Sequence, residues 1–191
     1  MKYFYDTEFI EDGKTIDLIS IGIVAEDGRE FYAISTEFNP KKASQWVKDN
    51  VLAHLPERRV NLSDPSISPR IKGESLAWKT RAQIKEGLLA FMSWSSQKPE
   101  LWGYYADYDH VVLCQLFGTM MDLPKGWPMY TRDIKQLCVD LGDPKLPEQG
   151  KGEHHALADA RWNKQAYEFL KAYPNQRLKE MALRSAAESG A

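Results

Sequence analysis

Cysteine is nearly absent. Cys114 and Cys138 are the only two in 191 residues, and each lies in an apolar stretch (VVLCQLF and IKQLCVDLG) where a thiol packs as a small hydrophobe. That count and spacing exclude a disulfide framework and a cysteine zinc site. Long hydrophobic runs are missing too: no stretch approaches the roughly 20 apolar residues of a membrane helix. The opening MKYFYDTEF carries carboxylates where a secretory signal would be apolar. A soluble cytoplasmic protein that does not enter a membrane is therefore expected. Nor is there an excess of either charge. With 25 basic and 27 acidic residues the net charge is −2, which excludes the broad basic surface that coats a duplex irrespective of sequence. It leaves room for an enzyme that grips only a nucleic-acid terminus. Gly-rich strand–turn–helix and P-loop patterns are also lacking, since Gly103 and Gly118 stand isolated, and this disfavours nucleotide-cofactor enzymes.

What is present is enough apolar material, 43% of residues, for one substantial core. Residues 2–9, 16–25 and 29–37 are rich in Ile, Val, Tyr and Phe. The turn signals EDGK and EDG separate them, so three antiparallel strands in a meander are predicted. Residues 44–55 place Trp46, Val47, Val51, Leu52 and Leu55 at helical spacing. A surface loop follows at 56–70 and a helix from about 75 to 94, with Ile84, Leu88, Leu89, Phe91 and Met92 on its buried side. A short strand at 100–105 runs into a helix at 108–117 that Gly118 stops. A last short strand is expected around Tyr130, then a helix at 132–141 and a Pro/Gly/Lys loop at 143–152. The next helix spans 156–171 and ends at Pro174. The expectation is an α/β domain over residues 1–173, with a mixed five-stranded sheet (three antiparallel strands, then parallel ones) and flanking helices, followed by a C-terminal helical tail at 174–191.

Three short constellations carry chemistry. Asp6 and Glu8 are two apart on a strand flanked by Tyr3, Phe4, Tyr5 and Phe9, and the strand period puts both carboxylates on one face. They are either ordinary polar residues of a half-exposed edge or, given the apolar surroundings, anions that shift their pKa values or recruit a cation. A divalent metal is the economical answer. Asp109 falls in the first turn of the 108–117 helix, where the dipole favours a carboxylate. It shares a face with Leu113 and Leu116, whereas Asp107 suits the N-cap. In His154-His155-Ala-Leu-Ala-Asp159 the aspartate sits inside a helix and His154 at its threshold. An imidazole there can accept a proton near neutrality, and His155 points elsewhere. Zinc on His154, His155 and Asp159 would lack a third imidazole or thiolate ligand.

Asp6-Thr7-Glu8, then Tyr108-Asp109 followed by Leu113, then His154-x-Ala156-Leu157-x-Asp159 together resemble the three motifs of the DEDDh exonucleases, which share the ribonuclease H-like fold. The resemblance implies that Asp6, Glu8, Asp109 and Asp159 hold two divalent ions, Mg²⁺ or Mn²⁺. It further implies that His154 is the general base and that nucleoside 5′-monophosphates are released from a 3′ end. More narrowly, YFYDTEFIEDG and YDHVVLCQLFG resemble the polyadenylate-specific exoribonuclease AS group. That likeness implies a single-stranded RNA substrate, a preference for adenylate and a homodimer. The pattern departs from many DEDDh enzymes just after Glu8, where Phe9 and Ile10 replace the usual Thr and Gly. Thr7, Phe9, Ile10 and Tyr108 are the expected contacts to the terminal nucleotide. Trp102, Tyr104 and Tyr105 join Tyr108 as rings around the second motif that can stack on bases, at least half of the four being expected in the core, and Lys151 and Arg161 are candidate phosphate contacts. The alternatives are a 3′→5′ exodeoxyribonuclease, because the motifs do not separate ribose from deoxyribose, and a catalytically silent nucleic-acid-binding module.

Overall fold

The structure, a computed structural model, describes residues 1–58, 63, 68, 76–150 and 152–189, with 175–189 as backbone alone. The meander forms as its β-branched and aromatic runs require: β1 (Lys2–Glu11), β2 (Ile16–Ala25) and β3 (Glu30–Ser35) pair antiparallel. Helix α1 (Gln45–Asn50) follows, capped by the Ser44 side chain, which accepts from the Val47 N–H. Strand β4 is only Trp78–Lys79, parallel to β3. Next come α2 (Arg81–Met92), β5 (Glu100–Gly103) parallel to β1, α3 (Asp107–Gln115), β6 (Arg132–Asp133) parallel to β5, α4 (Ile134–Asp140) and α5 (Ala156–Ser189). The sheet order is β4-β3-β2-β1-β5-β6, a ribonuclease H-like α/β arrangement with β1 at its centre.

The strand period sorts the core. Tyr3 and Tyr5 face Ile84, Leu88 and Met92 of α2 and Val112 and Leu113 of α3, all buried. On the other side Phe4 and Trp102 meet Ile134 and Cys138 of α4 and Ala166, Tyr167 and Leu170 of α5. Further along that same side, Ile10 and Ile19 meet Ala43 and Val51 around α1. The helices therefore cover both faces, but on the second face two separate groups do so.

Several boundaries differ from the sequence reading. The sheet has a sixth strand, because Trp78–Lys79 attaches to the edge of β3, and α2 starts at Arg81 rather than near 75. A capping box sets that start: the Thr80 hydroxyl accepts from the Gln83 N–H and the Gln83 side chain from the Thr80 N–H. Most of the 56–70 loop and position 75 lie outside the described residues. The last strand is at Arg132–Asp133 rather than at Tyr130, which is exposed. Asp133 ends it by capping α4, accepting from the Gln136 N–H at 2.9 Å. Helix α5 does not end at Pro174; a proline removes one intrahelical hydrogen bond without preventing the next turn from continuing. Among the described residues, no helix is long and apolar enough to cross a membrane.

Candidate active site

The site begins where β5 parts from β1. Their pairing stops at Phe4↔Trp102, so the edge of β1 beyond it is open. Two polar side chains use that edge. Asn163 of α5, fully buried, donates to the Tyr5 carbonyl at 2.9 Å. Asp109 of α3 accepts from the Thr7 N–H at 2.7 Å and from the Thr7 hydroxyl at 2.6 Å. Asp109 is only 6% exposed and lies in the first turn of its helix, as the spacing predicted. Ala106, not Asp107, is the N-cap, and its N–H donates to Asp133.

Asp6 stands opposite Gly22 in the β1–β2 register. A Cβ on Gly22 would lie 2.3 Å from the Leu157 nitrogen and 2.4 Å from the Ala156 carbonyl. The missing side chain therefore admits the first turn of α5 directly onto the strand, and Asp159 follows within that turn. The result is convergence: carboxylate oxygens of Asp6, Glu8 and Asp159 all lie within 4.8 Å of one another. Ser20 pairs with Glu8 in the register, and its buried hydroxyl has no hydrogen-bond partner among the described residues.

Electrostatics make the protein-only site uncomfortable. Burial, then the charges of Asp109, Glu8 and Asp159, push Asp6 well above the usual carboxylate range. Burial, then Asp159 and Asp109, raise Glu8 to about 8. Asp109 is raised to about 6 by burial, against the lowering effect of its Thr7 hydrogen bonds. Asp159 is also raised to about 6 by burial; His154, the backbone N–H groups of His154 and His155, and the Gln149 amide all act in the opposite direction. Clustered anions that must either protonate or find a cation, all hard oxygen donors and with a free buried hydroxyl beside them, fit a divalent ion such as Mg²⁺ or Mn²⁺.

The neighbouring residues divide into two groups. His154 sits just ahead of α5 with a left-handed backbone (φ +65°), and its ring meets Trp46 edge-on at 4.7 Å between centroids. His155 turns away: it stacks on Tyr32, and its Nδ1 accepts from the Ala158 N–H at 3.4 Å. Phe9 packs edge-to-face on Tyr108, which is 50% exposed. Ile10 and Thr7 offer a nucleotide no surface. Ile10 is 2% exposed in the core, because the alternation that puts it on the Asp6 side also puts it under α1. Thr7 is buried, and both its donors are used on Asp109. Trp102 is core and Tyr105 exposed. Arg161 is held by Glu30 through two hydrogen bonds, at 2.7 and 2.6 Å, and Lys151 lies outside the described residues. Three residues were not singled out in the sequence. Gly22 carried a signal, a lone glycine within IDLISIGIVA, which marks close backbone approach. Gln149, which donates to Asp159, and Trp46, which stood only among the apolar residues at helical spacing in 44–55 and is 53% exposed, carried none.

Comparison with known proteins agrees with this geometry. The chain is 48% identical over 162 residues to the 3′-5′ exoribonuclease Rv2179c of Mycobacterium tuberculosis strain H37Rv, covering 84% of this chain and 88% of the relative. It is identical to the same extent, over the same shares, to the 3′-5′ exoribonuclease MT2234.1 of Mycobacterium tuberculosis strain CDC 1551. Among solved structures it is similar to Schizosaccharomyces pombe Pop2p in a Mg²⁺- and Mn²⁺-bound form, at a TM-score of 0.43 and 14% identity over 90% of this chain and 82% of that one. The model of the 3′-5′ exoribonuclease Rv2179c-like domain matches residues 1–170. Most of the chain is thus accounted for by one family, and the acidic cluster supplies that family's chemistry with a place to occur: this protein belongs to the Rv2179c-like 3′-5′ exoribonuclease domain family and is a metal-dependent nuclease.

Proposed function

We propose that the protein is a 3′→5′ exoribonuclease that removes nucleoside 5′-monophosphates from the 3′ end of single-stranded RNA, with a preference for adenylate. The observation that carries this reading is the convergence of Asp6, Glu8 and Asp159 within 4.8 Å; the buried Asp109 is outside that group but its charge acts on both Asp6 and Glu8. Four carboxylates from three separate elements would hold two divalent ions. Such ions, when bound, acidify the attacking water and stabilise the departing 3′ oxygen.

The chain's own residues do the rest. Asp6 and Glu8, fixed on the central strand, set where the scissile phosphate can sit. Thr7 holds Asp109 against β1 through its N–H and hydroxyl. Gln149 engages Asp159, which restricts the rotation of that carboxylate. An imidazole nitrogen of His154 takes the proton of the water whose oxygen attacks phosphorus. The P–O3′ bond then breaks, and the leaving oxygen is protonated from solvent. Phe9, which follows Glu8 in the chain, and Tyr108, whose rings touch at 5.9 Å between centroids, would receive the terminal base, for which ring stacking is worth about 1–3 kcal/mol.

Adenylate preference and a homodimeric state rest on the resemblance of YFYDTEFIEDG and YDHVVLCQLFG to the polyadenylate-specific group. Assignment to the cytoplasm is supported by Cys114 and Cys138, both free thiols, as a reducing compartment keeps them. The test is product analysis on RNA homopolymers with varied 3′ ends, with and without EDTA, alongside matched oligo(A) and oligo(dA). Release of 5′-AMP from oligo(A), abolished by EDTA, is expected; equal or faster digestion of oligo(dA) would move the assignment to DNA. Sedimentation of the intact protein reads the oligomeric state. His154→Ala should keep the fold and lower kcat by about 10²-fold or more; turnover near wild type would remove His154 from the mechanism.

A further inference from the structure

The imidazole of His154 is weakly held for a group that must meet a water accurately. It stands on a left-handed backbone after Gly150 and Gly152, outside α5, and accepts or donates no side-chain hydrogen bond among the described residues. Its described ring contact is with the indole of Trp46, edge-on at 77° and 4.7 Å. Trp46 is firmly based. Ser44 caps its helix, the Asn50 amide donates to the Trp46 carbonyl at 2.9 Å, and Val47 on that helix and Val51 at its C-cap pack in the cluster of Ile10 and Ile19. Ile10 belongs to the strand that carries Asp6 and Glu8, so α1 is keyed through the core to the carboxylates. More than half of Trp46 remains exposed, and two residues it touches, Asn50 and His154, line an open cleft together with His54 and Glu153. A large apolar ring kept half in water gains little from burial, so core packing alone does not account for its place against His154.

We infer that Trp46 is a positioning residue: braced on the core beneath β1, its indole fixes the orientation of the His154 ring relative to the acidic cluster. This rests on the reading of His154 as general base. Loss of the indole leaves the histidine present but misaimed, and a displacement of about 1 Å at a reacting group can cost up to about 10²-fold.

The test uses the full-length protein with Mn²⁺ and oligo(A). Trp46→Ala is expected to lower kcat by about tenfold or more, with KM within about twofold and an unchanged circular-dichroism spectrum. Trp46→Phe, which keeps an aromatic edge, should recover most of the loss. In a His154→Ala background, Trp46→Ala should cost nothing further, because the ring it aims is gone. Two results overturn the inference while leaving the base reading intact. One is the same loss from Trp46→Ala with and without His154; the other is a loss confined to KM, which would make Trp46 a substrate-stacking residue. Should His154→Ala itself turn over near the wild-type rate, the base reading falls, and the inference falls with it.

Discussion

The two faces of β1 begin alike and end differently. On one face Tyr3 and Tyr5 are fully buried under α2 and α3, and the acid that reaches the far end of that face, Asp109, is met by two donors from Thr7. On the other, Phe4 and Ile10 are equally buried, but Asp6 and Glu8 lie between them, and no protein donor reaches the Asp6 carboxylate among the described residues. The cause is the cover. Continuous helices seal the first face, whereas α4 and α5 cover Phe4 and the α1 region covers Ile10, with a gap between. Into that gap the start of α5 delivers a third anion, Asp159, rather than a cation. One face is organised for stability and the other gives up stability for a metal site.

The largest test of that division is Asp6→Asn against Tyr5→Ala. Asn keeps the shape and removes a charge that burial and three neighbouring carboxylates disfavour. Activity should fall about 10³-fold or more through loss of metal-dependent catalysis, while the melting temperature in EDTA should rise. Tyr5→Ala, on the sealed face, should cost about 3–5 kcal/mol. A fall in melting temperature for Asp6→Asn in EDTA would break the comparison.

Gly22→Ala probes how the gap is shaped. A Cβ there lies within 2.4 Å of the Ala156 and Leu157 backbone, so α5 must shift away from β2 and carry His154 and Asp159 with it. Kinetics and thermal melts should show kcat down about 10²-fold and a destabilisation of about 1–3 kcal/mol. Wild-type turnover would mean that the position of α5 is not set at this strand.

The parts of this arrangement legible in the sequence are those with a local signature. The meander was readable from its β-branched runs and EDGK and EDG turns, and the pairing of Asp6 with Glu8 from the strand period. The placement of Asp109 followed from the first turn of an amphipathic helix. What escaped depends on contacts between distant segments. Two residues at Trp78–Lys79 carry no periodicity of their own and become a strand only against β3. Ile10 looked available because it follows Glu8, yet it is sealed by Ala43 and Val51, which are more than thirty positions away in the chain. Trp46 stood only among apolar residues at helical spacing, and nothing local indicated that its partner would be His154.

Thr7→Val sharpens the contrast between the satisfied and the unsatisfied acids. The variant keeps the Thr7 N–H on Asp109 and removes the hydroxyl, the largest of the three hydrogen-bonding effects that hold this carboxylate's pKa down against burial. Asp109 should then titrate above about 6, and stability at neutral pH should drop by about 1–2 kcal/mol. We expect a roughly tenfold lower kcat, relieved in part as pH rises. A pH–rate profile superimposable on that of the wild type would show that the hydroxyl does not tune Asp109.

The smallest effect is a slope of stability with pH. A carboxyl whose folded pKa is raised contributes stability at low pH and loses it as pH climbs through the folded value, because the folded state holds the proton that the unfolded state has released. Asp109 and Asp159, at about 6, act mostly below neutrality. There the buried His110, pushed below its ordinary 6.5 by desolvation, contributes the opposite slope and obscures them. Above pH about 7 the unfolded histidine is already neutral and its contribution is flat, which leaves Glu8, at about 8, and Asp6 in control. In EDTA the melting temperature should therefore fall by roughly a few degrees between pH 7 and 8. Mn²⁺ should abolish the fall, since a bound cation replaces the proton as the neutralising charge. The Asp6→Asn variant should show a shallower slope. A flat profile in EDTA would mean that water already neutralises these acids and that the open face of β1 carries no electrostatic burden.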